Sequence, residues 1–401
     1  MIPRKRLDIG WMDLLFGAGC CLWPGHRTAA ERRIEGAWCP EDPGRALASL
    51  SVRSGFDSLL QALALPTGSE VLLSALTIRD MVRIVTEHGL VPVPVDVDPR
   101  TLAVCPEALA RTLSPRSRAI VVAHLFGSRM PLEPVLDAAR AHGLLVIEDC
   151  AQAYTGDDYR GHPESDVSLF SFGPIKTATA LAGGLLRFRD PALRDRAAAV
   201  QASWPVQDRS RFLIRSMKYA LLKLLSYRSI FTLFTAICRV LDKSHDTVIS
   251  GSVRGFAGEG FFIKIRQRPS FPLLALLARR LKSFDRARIT ARSALAQEAI
   301  GGMPEIERPG DRAAWHSHWV FPVCHDDPEK LIGFLWSQGF DATRGASSLC
   351  VVDPPEDRPE TDPALSRRAF ERLFYLPVHE GMNERDVEQL ARAVTNANAL
   401  R

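Results

Sequence analysis

The residues best suited to chemistry in this sequence are a carboxylate, a hydroxyl and a primary amine: Asp149, Ser171 and Lys176. Asp149 follows the apolar run 144–147, which is short and continuous as in a buried parallel strand. Ser171 lies in a second strand candidate, and Lys176 follows a Gly-Pro turn. Because the chain has room to fold back between them, the acid and the amine can face each other across one planar cofactor. Pyridoxal phosphate (PLP) needs that pair, a Lys for the Schiff base and an Asp that keeps the pyridine nitrogen protonated.

Each of these residues also has a simpler interpretation. A single Lys after a turn is usually a solvated surface residue, and a single Asp after a strand usually forms a turn. Likewise, Ser54 and Gly55 open a predicted helix over residues 56–63, where free amide groups would suit a phosphate. An ordinary helix cap explains those two residues equally well.

The elements that must position these residues alternate between strand and helix. We predict strands at 70–74, 90–97, 119–124, 144–149 and 166–172, with helices at 77–88, 105–113 and 131–142. Such alternation predicts an α/β fold with a mostly parallel sheet covered by helices. Ligands of such sheets bind beyond the carboxyl ends of the strands, where Asp149, Ser171 and His124 fall.

The pattern divides the chain into four parts. Residues 1–45 lack sustained periodicity and are interpreted as an N-terminal arm that drapes over a neighbouring domain or subunit, with regular structure beginning near Ser54. A large domain over 46–200 is followed by a helical insertion over 201–268. A smaller α+β domain over 269–401 contains predicted helices at 273–299, 329–338 and 384–398 and strands at 318–324 and 341–345.

Composition sets the broad class. The 401 residues are 46% hydrophobic and 24% charged with a net charge of +5, so nucleic acid is not the expected partner. Eight cysteines without regular spacing indicate reduced thiols in a cytoplasmic protein. The basic, apolar N-terminus is interrupted by Asp8 and Asp13, which favours an arm over an export signal.

The segment 209–243 within the insertion is unusually basic and apolar. It carries eight Lys and Arg residues against the single acid Asp242. Its longest uncharged run, 229–238, is too short to cross a bilayer. Two interpretations stay open, a basic amphipathic helical pair on a membrane surface or greasy substrate, and a helical insertion packed on the core or on a second subunit.

Six segments taken in order resemble the DegT/DnrJ/StrS-type sugar aminotransferases: 54–63, 91–102, 119–127, 146–156, 168–184 and 375–387. The resemblance implies PLP-dependent transferase fold type I. It makes Lys176 the Schiff-base lysine and proton shuttle, and Asp149 the partner of the pyridine nitrogen. It places Gln152 against the cofactor ring and its phenolic oxygen. Phosphate would be bound by Ser171 and the backbone amides of Gly55 and Phe56.

Three positions depart from the family pattern. Phe56 replaces a Thr that would bind phosphate, and Ile78 replaces an aromatic residue that stacks on the ring, which weakens cofactor binding by about 1 kcal/mol. Arg266 lies where the neighbouring subunit of the family supplies an Asn to the phosphate. A guanidinium there can compensate for the lost hydroxyl, and it implies a homodimer with shared active sites.

The sequence therefore predicts a PLP-dependent aminotransferase that moves an amino group from an amino acid, glutamate by expectation, to a keto-sugar, nucleotide-linked by resemblance. A lipid-linked or other apolar carbonyl substrate, and a non-catalytic binding or regulatory protein, are the alternatives. No metal is expected, since His316, His318 and His325 lack a carboxylate or Cys partner in sequence. Arg344 could meet a substrate carboxylate, but a surface role is favoured.

Overall fold

A seven-stranded sheet forms the centre of the protein in the computed structural model, which describes residues 1–253, 256, 259–345 and 348–399. The strands are β1 (Ala46–Ser49), β2 (Glu70–Ser74), β3 (Leu76–Ile78), β4 (Val91–Val95), β5 (Ser117–Ala123), β6 (Leu145–Asp149), β7 (Val167–Ser171), β8 (Gly184–Phe188), β9 (Phe321–Cys324), β10 (Leu349–Val351) and β11 (Leu373–Leu376). The sheet order is β1-β8-β7-β6-β5-β2-β4. The five neighbouring strands β4, β2, β5, β6 and β7 are parallel, whereas β8 runs antiparallel to both β7 and β1.

Helices cover this sheet and extend to a second core. They are α1 (Trp11–Leu22), α2 (Arg27–Trp38), α3 (Val52–Leu63), α4 (Arg79–Glu87), α5 (Pro106–Thr112), α6 (Glu133–His142), α7 (Pro191–Ala202), α8 (Arg209–Leu224), α9 (Arg228–Val240), α10 (His245–Val253), α11 (Phe261–Ile265), α12 (Phe271–Lys282), α13 (Ala287–Gly302), α14 (Pro328–Ser337), α15 (Ala364–Arg372) and α16 (Glu384–Ala399). Among the described residues no single helix is long and apolar enough to cross a bilayer, although α8 and α9, bent by 93° at their junction, meet those criteria together.

The α/β architecture with a mostly parallel sheet is confirmed. The five predicted strands correspond to β2 and to β4 through β7. Two strands of the sheet, β1 and β8, were not predicted. They are short, and β8 directly follows the glycine-rich end of the loop that carries Lys176.

The prediction of an irregular arm over residues 1–45 is wrong, because α1 and α2 form there. Helix α1 is apolar on nearly every side, so its sequence shows no amphipathic period. The first residues do reach another part of the chain. Ile2 pairs with Phe340, and Arg4 forms an ion pair with the fully buried Asp341.

The C-terminal region also differs from prediction in two places. The helix expected over 273–299 is two helices, α12 and α13, separated by residues 283–286. The strand expected over 341–345 is a single bridge between Thr343 and Tyr375, and β9 pairs with β11 instead. These elements enclose a separate apolar core with α14 and α16, which includes Phe321 and Leu390.

Candidate active site

The candidate site lies where β6 and β7 end, as expected for a parallel sheet. Asp149 is the last residue of β6 and Ser171 the last of β7. Lys176 lies in the loop that follows β7 and returns to β8 at Gly184. Within this loop the Lys176 amide donates to the carbonyl of Gly173 at 3.0 Å, which closes a turn. The fold therefore brings Asp149, Ser171 and Lys176 to one edge of the sheet.

Lys176 is partly buried rather than solvated. Burial lowers the pKa of its amine from 10.5 to about 8, an effect that Asp149 opposes and Arg53 reinforces. Its Nζ lies 4.2 Å from the centre of the Trp319 ring, in a cation–π contact. A buried amine of this pKa is a better nucleophile and base at neutral pH than an ordinary lysine.

Asp149 and the preceding Glu148 have opposite electrostatic roles. Burial raises the pKa of Asp149, and the Ala151 amide and Lys176 only partly oppose that rise. Burial would also raise the pKa of Glu148, but hydrogen bonds from His124 and other neighbours outweigh it and lower the pKa to about 2. Glu148 is therefore engaged by hydrogen bonds inside the protein, while Asp149 interacts electrostatically with the amine of Lys176.

Gln152 and Ser171 have polar atoms available at this edge. Gln152 uses its side-chain oxygen to accept from the Phe126 amide at 2.7 Å. Its amide NH₂ group has no hydrogen-bond partner in the part of the chain that the structure describes, so it can donate to a phenolic oxygen. Ser171 has only a 3.5 Å contact with the Gly173 amide among those residues.

Helix α3 begins earlier than predicted, and this changes the predicted phosphate site. The helix starts at Val52 with Ser51 as its cap, not at Phe56. The Gly55 amide already donates to the Ser51 carbonyl at 3.0 Å, and the Phe56 side chain is fully buried in the core. Val52 and Arg53 are the first-turn amides without an intrahelical partner. The free amides at the start of α3 therefore belong to Val52 and Arg53, and not to Gly55 and Phe56 as expected.

The sequence interpretation missed Arg53, because it placed this residue in a loop before the helix. Arg53 forms an ion pair with Asp80 and interacts electrostatically with both Asp149 and Lys176. The start of α3 also adjoins Ser171. Ser171 pairs with Gly184, where an added Cβ would lie 2.7 Å from the Val52 nitrogen. A hydroxyl, a helix N-terminus and a guanidinium thus lie near one another.

Ile78 and Arg266 have other partners in the single chain. Ile78 ends β3, pairs with Leu349 and packs against two core clusters. The Arg266 guanidinium donates two hydrogen bonds to Asp57, of 2.9 and 3.1 Å. Presenting Arg266 to the phosphate of a second subunit would require its pair with the buried Asp57 to open.

A cationic cavity adjoins Lys176. Arg292 is 7% exposed, its Nε donates to the Ser317 carbonyl, and its buried Nη2 has no hydrogen-bond partner in the described chain. The Nζ of Lys5 lies 4.0 Å from the centre of the Trp319 ring. Burial, with Arg292 and Lys176 nearby, lowers the pKa of Lys5 well below its usual value.

The carboxylates of this cavity are already engaged. Asp8 accepts from the Ala178 amide and pairs with Arg280 and Arg288, and Glu380 pairs with Arg288. The cavity therefore has surplus positive charge.

The remaining candidates contact other parts of the chain. The rings of His316 and His318 stack with centroids 4.3 Å apart, and burial lowers their pKa values to about 3 and 4. Arg344 is exposed and donates to the carbonyls of Phe370 and Glu371.

Residues 44–218 match the DegT/DnrJ/EryC1/StrS aminotransferase family. The resemblance drawn from the sequence is thereby confirmed for that part of the chain. Enzymes of this family are PLP-dependent transaminases.

Two characterised relatives match parts of the chain. It is 39% identical over 137 residues to GDP-perosamine synthase of Caulobacter vibrioides, covering 33% of this chain and 37% of the relative. It is 35% identical over 180 residues to L-glutamine:2-deoxy-scyllo-inosose aminotransferase of Micromonospora echinospora, covering 44% of this chain and 43% of the relative. The chain thus spans less than half the length of either relative.

The whole fold has solved counterparts. The aminotransferase TlmJ of Streptoalloteichus hindustanus superposes with a TM-score of 0.72 at 20% identity, covering 100% of both chains. Fold type I of the PLP-dependent transferases is confirmed on this basis.

The residues present fit PLP by their chemistry. Asp149 suits the pyridine nitrogen, the Lys176 amine suits the aldehyde, and the Gln152 amide suits the phenolic oxygen. Ser171, Arg53 and the start of α3 suit the phosphate. When bound, PLP supplies an electron sink for a carbanion.

Proposed function

We propose that this protein is a PLP-dependent aminotransferase that moves an amino group from an amino acid to a keto-sugar. The observation that carries the proposal is that the fold brings the buried Asp149 and the amine of Lys176 close enough to interact electrostatically at one edge of the sheet, where the pKa of that amine is lowered to about 8. In this proposal the Lys176 Nζ takes a proton from the α-carbon of the donor and later delivers one to the acceptor carbon. A base with a pKa near the working pH suits both transfers. The donor leaves as a 2-oxo acid and the acceptor ketone becomes an amine.

The cationic cavity supports an acidic donor such as glutamate. Arg292 offers a buried guanidinium nitrogen without a partner in the described chain, and a carboxylate satisfies that need through a charge-assisted bond. The space beside Arg292, Lys5 and Lys176 has a volume of about 20 Å³, enough for a small group and far too little for a nucleotide. We therefore assign Arg292 to the donor carboxylate.

A second cavity supports a larger polar acceptor. It has a volume of about 520 Å³, within the usual range for ligand pockets, and shares Arg6 and Glu380 with the first cavity. Its wall also contains Lys223, Asp285 and Arg288. These charges suit a sugar with a phosphate-bearing group better than an apolar carbonyl compound, so we extend the proposal to a nucleotide-linked keto-sugar.

The proposal includes a cytoplasmic homodimer. The family resemblance supports this assembly, with Arg266 offered across the interface once its pair with Asp57 opens.

The decisive experiment is spectroscopic. Purified protein incubated with PLP and then separated from unbound PLP should keep an absorbance band near the visible edge that disappears on adding glutamate, and Lys176→Ala treated in the same way should lack the band. Keto-sugar nucleotides should then regenerate the band. A protein that is colourless once unbound PLP has been removed would contradict the aminotransferase proposal and favour a non-catalytic role.

A further inference from the structure

Three helices expose large apolar side chains that a single chain leaves uncovered. On α8 these are Ile214, Met217, Leu221 and Leu224, and on α9 they are Ile230, Leu233, Ile237 and Val240, spaced three and four residues apart. On α1 and its cap they are Trp11, Met12, Leu15, Phe16, Leu22 and Trp23. Exposure reaches 66% at Met217, 85% at Val240 and 78% at Trp23. We call these residues the apolar surface.

The exposed apolar faces lie roughly opposite the faces that pack on the protein. On α8 the buried residues are Phe212, Ser216 and Tyr219, which the 100° rotation per residue places on the far side from Ile214 and Leu221. The same relation holds on α9, where Phe231 and Cys238 are buried. A helix that is apolar on both sides is normally covered on both. The apolar surface therefore indicates a missing partner.

Helices α1 and α8 pack against each other through buried residues, and Trp11 of α1 reaches the exposed junction of α8 and α9. Gly17 of α1 lies close to Phe212 of α8 and Leu276 of α12. At the junction between α8 and α9, the Trp11 indole donates to the Tyr227 hydroxyl at 3.1 Å. This packing extends the basic, apolar segment recognised in the sequence to the N-terminal helix.

The charges beside the apolar surface decide what covers it. Arg211, Lys218, Arg239 and Lys243 are exposed, and none of them forms an ion pair with any described residue. On α8, Arg211 and Lys218 lie next to Ile214 and Leu221 at helical spacings of three and four. Apolar and aromatic side chains flanked by Lys and Arg are the pattern of helices that lie in the membrane interface.

We propose that the apolar surface docks this protein onto a membrane surface rich in anionic phospholipid. A second copy of the chain is the competing occupant. In a twofold dimer the same patch of both subunits forms the interface, so that interface would hold two sets of these cations. Anionic headgroups neutralise them instead, because the negative surface potential of such a membrane attracts Lys and Arg residues that lie near it.

The geometry favours helices that lie on the bilayer over helices that cross it. Both α8 and α9 keep one face packed against the protein, including the fully buried Phe212, so neither is free to enter the hydrocarbon core as a separate span. The bend of 93° between them is compatible with both helix axes lying in one interfacial plane. The apolar side chains would then reach the boundary between headgroups and acyl chains.

Vesicle flotation tests this proposal. The full-length protein should float with vesicles of phosphatidylcholine and phosphatidylglycerol, and remain at the bottom with phosphatidylcholine alone. In the triple variant Ile214→Gln/Met217→Gln/Leu221→Gln, the floating fraction should be at least about tenfold smaller than in the wild type. The variant Arg211→Gln/Lys218→Gln/Arg239→Gln should also float less than the wild type, and adding phosphatidylglycerol should not increase its floating fraction.

Matched controls separate this result from damage to the fold. Ile263→Gln and Leu365→Gln change exposed apolar residues on α11 and α15, so both should float like the wild type. Unchanged thermal unfolding of the triple variant would confirm that it folds. Wild-type protein that does not float, or a triple variant that floats equally well, would overturn the proposal. So would a triple variant that changes from dimer to monomer in sedimentation while the wild type ignores vesicles, because a second copy would then cover the surface.

Discussion

The charged groups at the edge of the sheet near Lys176 and those on the apolar surface differ in their exposure to solvent. At the edge, charged groups are buried and fixed by neighbours, so that burial, reinforced by Arg53 and opposed by Asp149, lowers the pKa of Lys176 to about 8. On the apolar surface the cations are exposed, and screening by water and salt keeps each contribution small. Single substitutions should therefore have large effects at the edge, whereas the surface should respond only to several changes together.

The largest effect is expected at Lys176. Lys176→Ala should abolish covalent PLP attachment and lower the rate of amino transfer by roughly 10³-fold or more, because both the nucleophile and the proton shuttle are lost. Borohydride reduction followed by peptide mapping would measure the attachment.

Lys5 makes this test a sharp one, since it is a second buried amine against Trp319. The mapped adduct should lie on Lys176 and not on Lys5. The exposed Lys218→Ala provides the control and should retain the adduct. An adduct on Lys5 would show that the electrostatic interaction between Asp149 and Lys176 does not select the reactive amine.

A smaller effect is expected at Arg292. Arg292→Gln should raise KM for glutamate about 10- to 100-fold with less change in kcat, since a charge-assisted bond contributes about 1.5–3 kcal/mol. Arg292→Lys should recover part of that loss. Arg279 is the matched control, because it pairs with Asp13 away from the cavity, and Arg279→Gln should leave KM unchanged. An equal rise of KM in both variants would remove Arg292 from the donor site.

The sequence predicts the chemistry of the sheet edge better than its boundaries. Asp149 and Lys176 are recognisable because strand patterns end beside them, and the family motif fixes their order. The helix start at Val52 escaped prediction, since the Ser54-Gly55 pair looks like a cap although Ser51 provides it. Arg53 was missed for that reason, and only folding shows that it lies near both Asp149 and Lys176.

Charge pairing over long sequence separations was also beyond prediction. Arg292 differs from Arg280 only in its surroundings, because Arg280 meets Asp8 and Asp13 while Arg292 keeps one nitrogen unpaired among the described residues. The N-terminal arm supplies both acids, and an apolar helix such as α1 gives no periodic signal that would place them. The basic, apolar character of 209–243 was visible from composition, whereas its continuation onto α1 required the structure.

A more moderate effect is expected from pH. The neutral amine of Lys176 attacks PLP, so the rate of covalent PLP uptake by the apo-protein should rise with pH around a midpoint near 8. Asp149 favours the charged amine, so Asp149→Asn should move the midpoint to lower pH. Stopped-flow absorbance across pH 6 to 10, in steps of about 0.5 pH unit, would measure the rate of PLP uptake by the wild type and by Asp149→Asn. A midpoint near the usual lysine value would indicate that Lys176 is solvated.

The smallest effect is expected on the exposed face of α8. Ile214→Gln should change the free energy of unfolding by no more than about 0.5 kcal/mol in vesicle-free buffer, because a side chain that is 65% exposed loses little packing. Phe212, two residues earlier, is fully buried, and Phe212→Ala should cost about 3–5 kcal/mol. Urea unfolding of the two variants would compare opposite faces of one helix. If Ile214→Gln alone were as destabilising as Phe212→Ala, the outer face of α8 would already be packed in solution, and neither a bilayer nor any other partner would be needed to cover it.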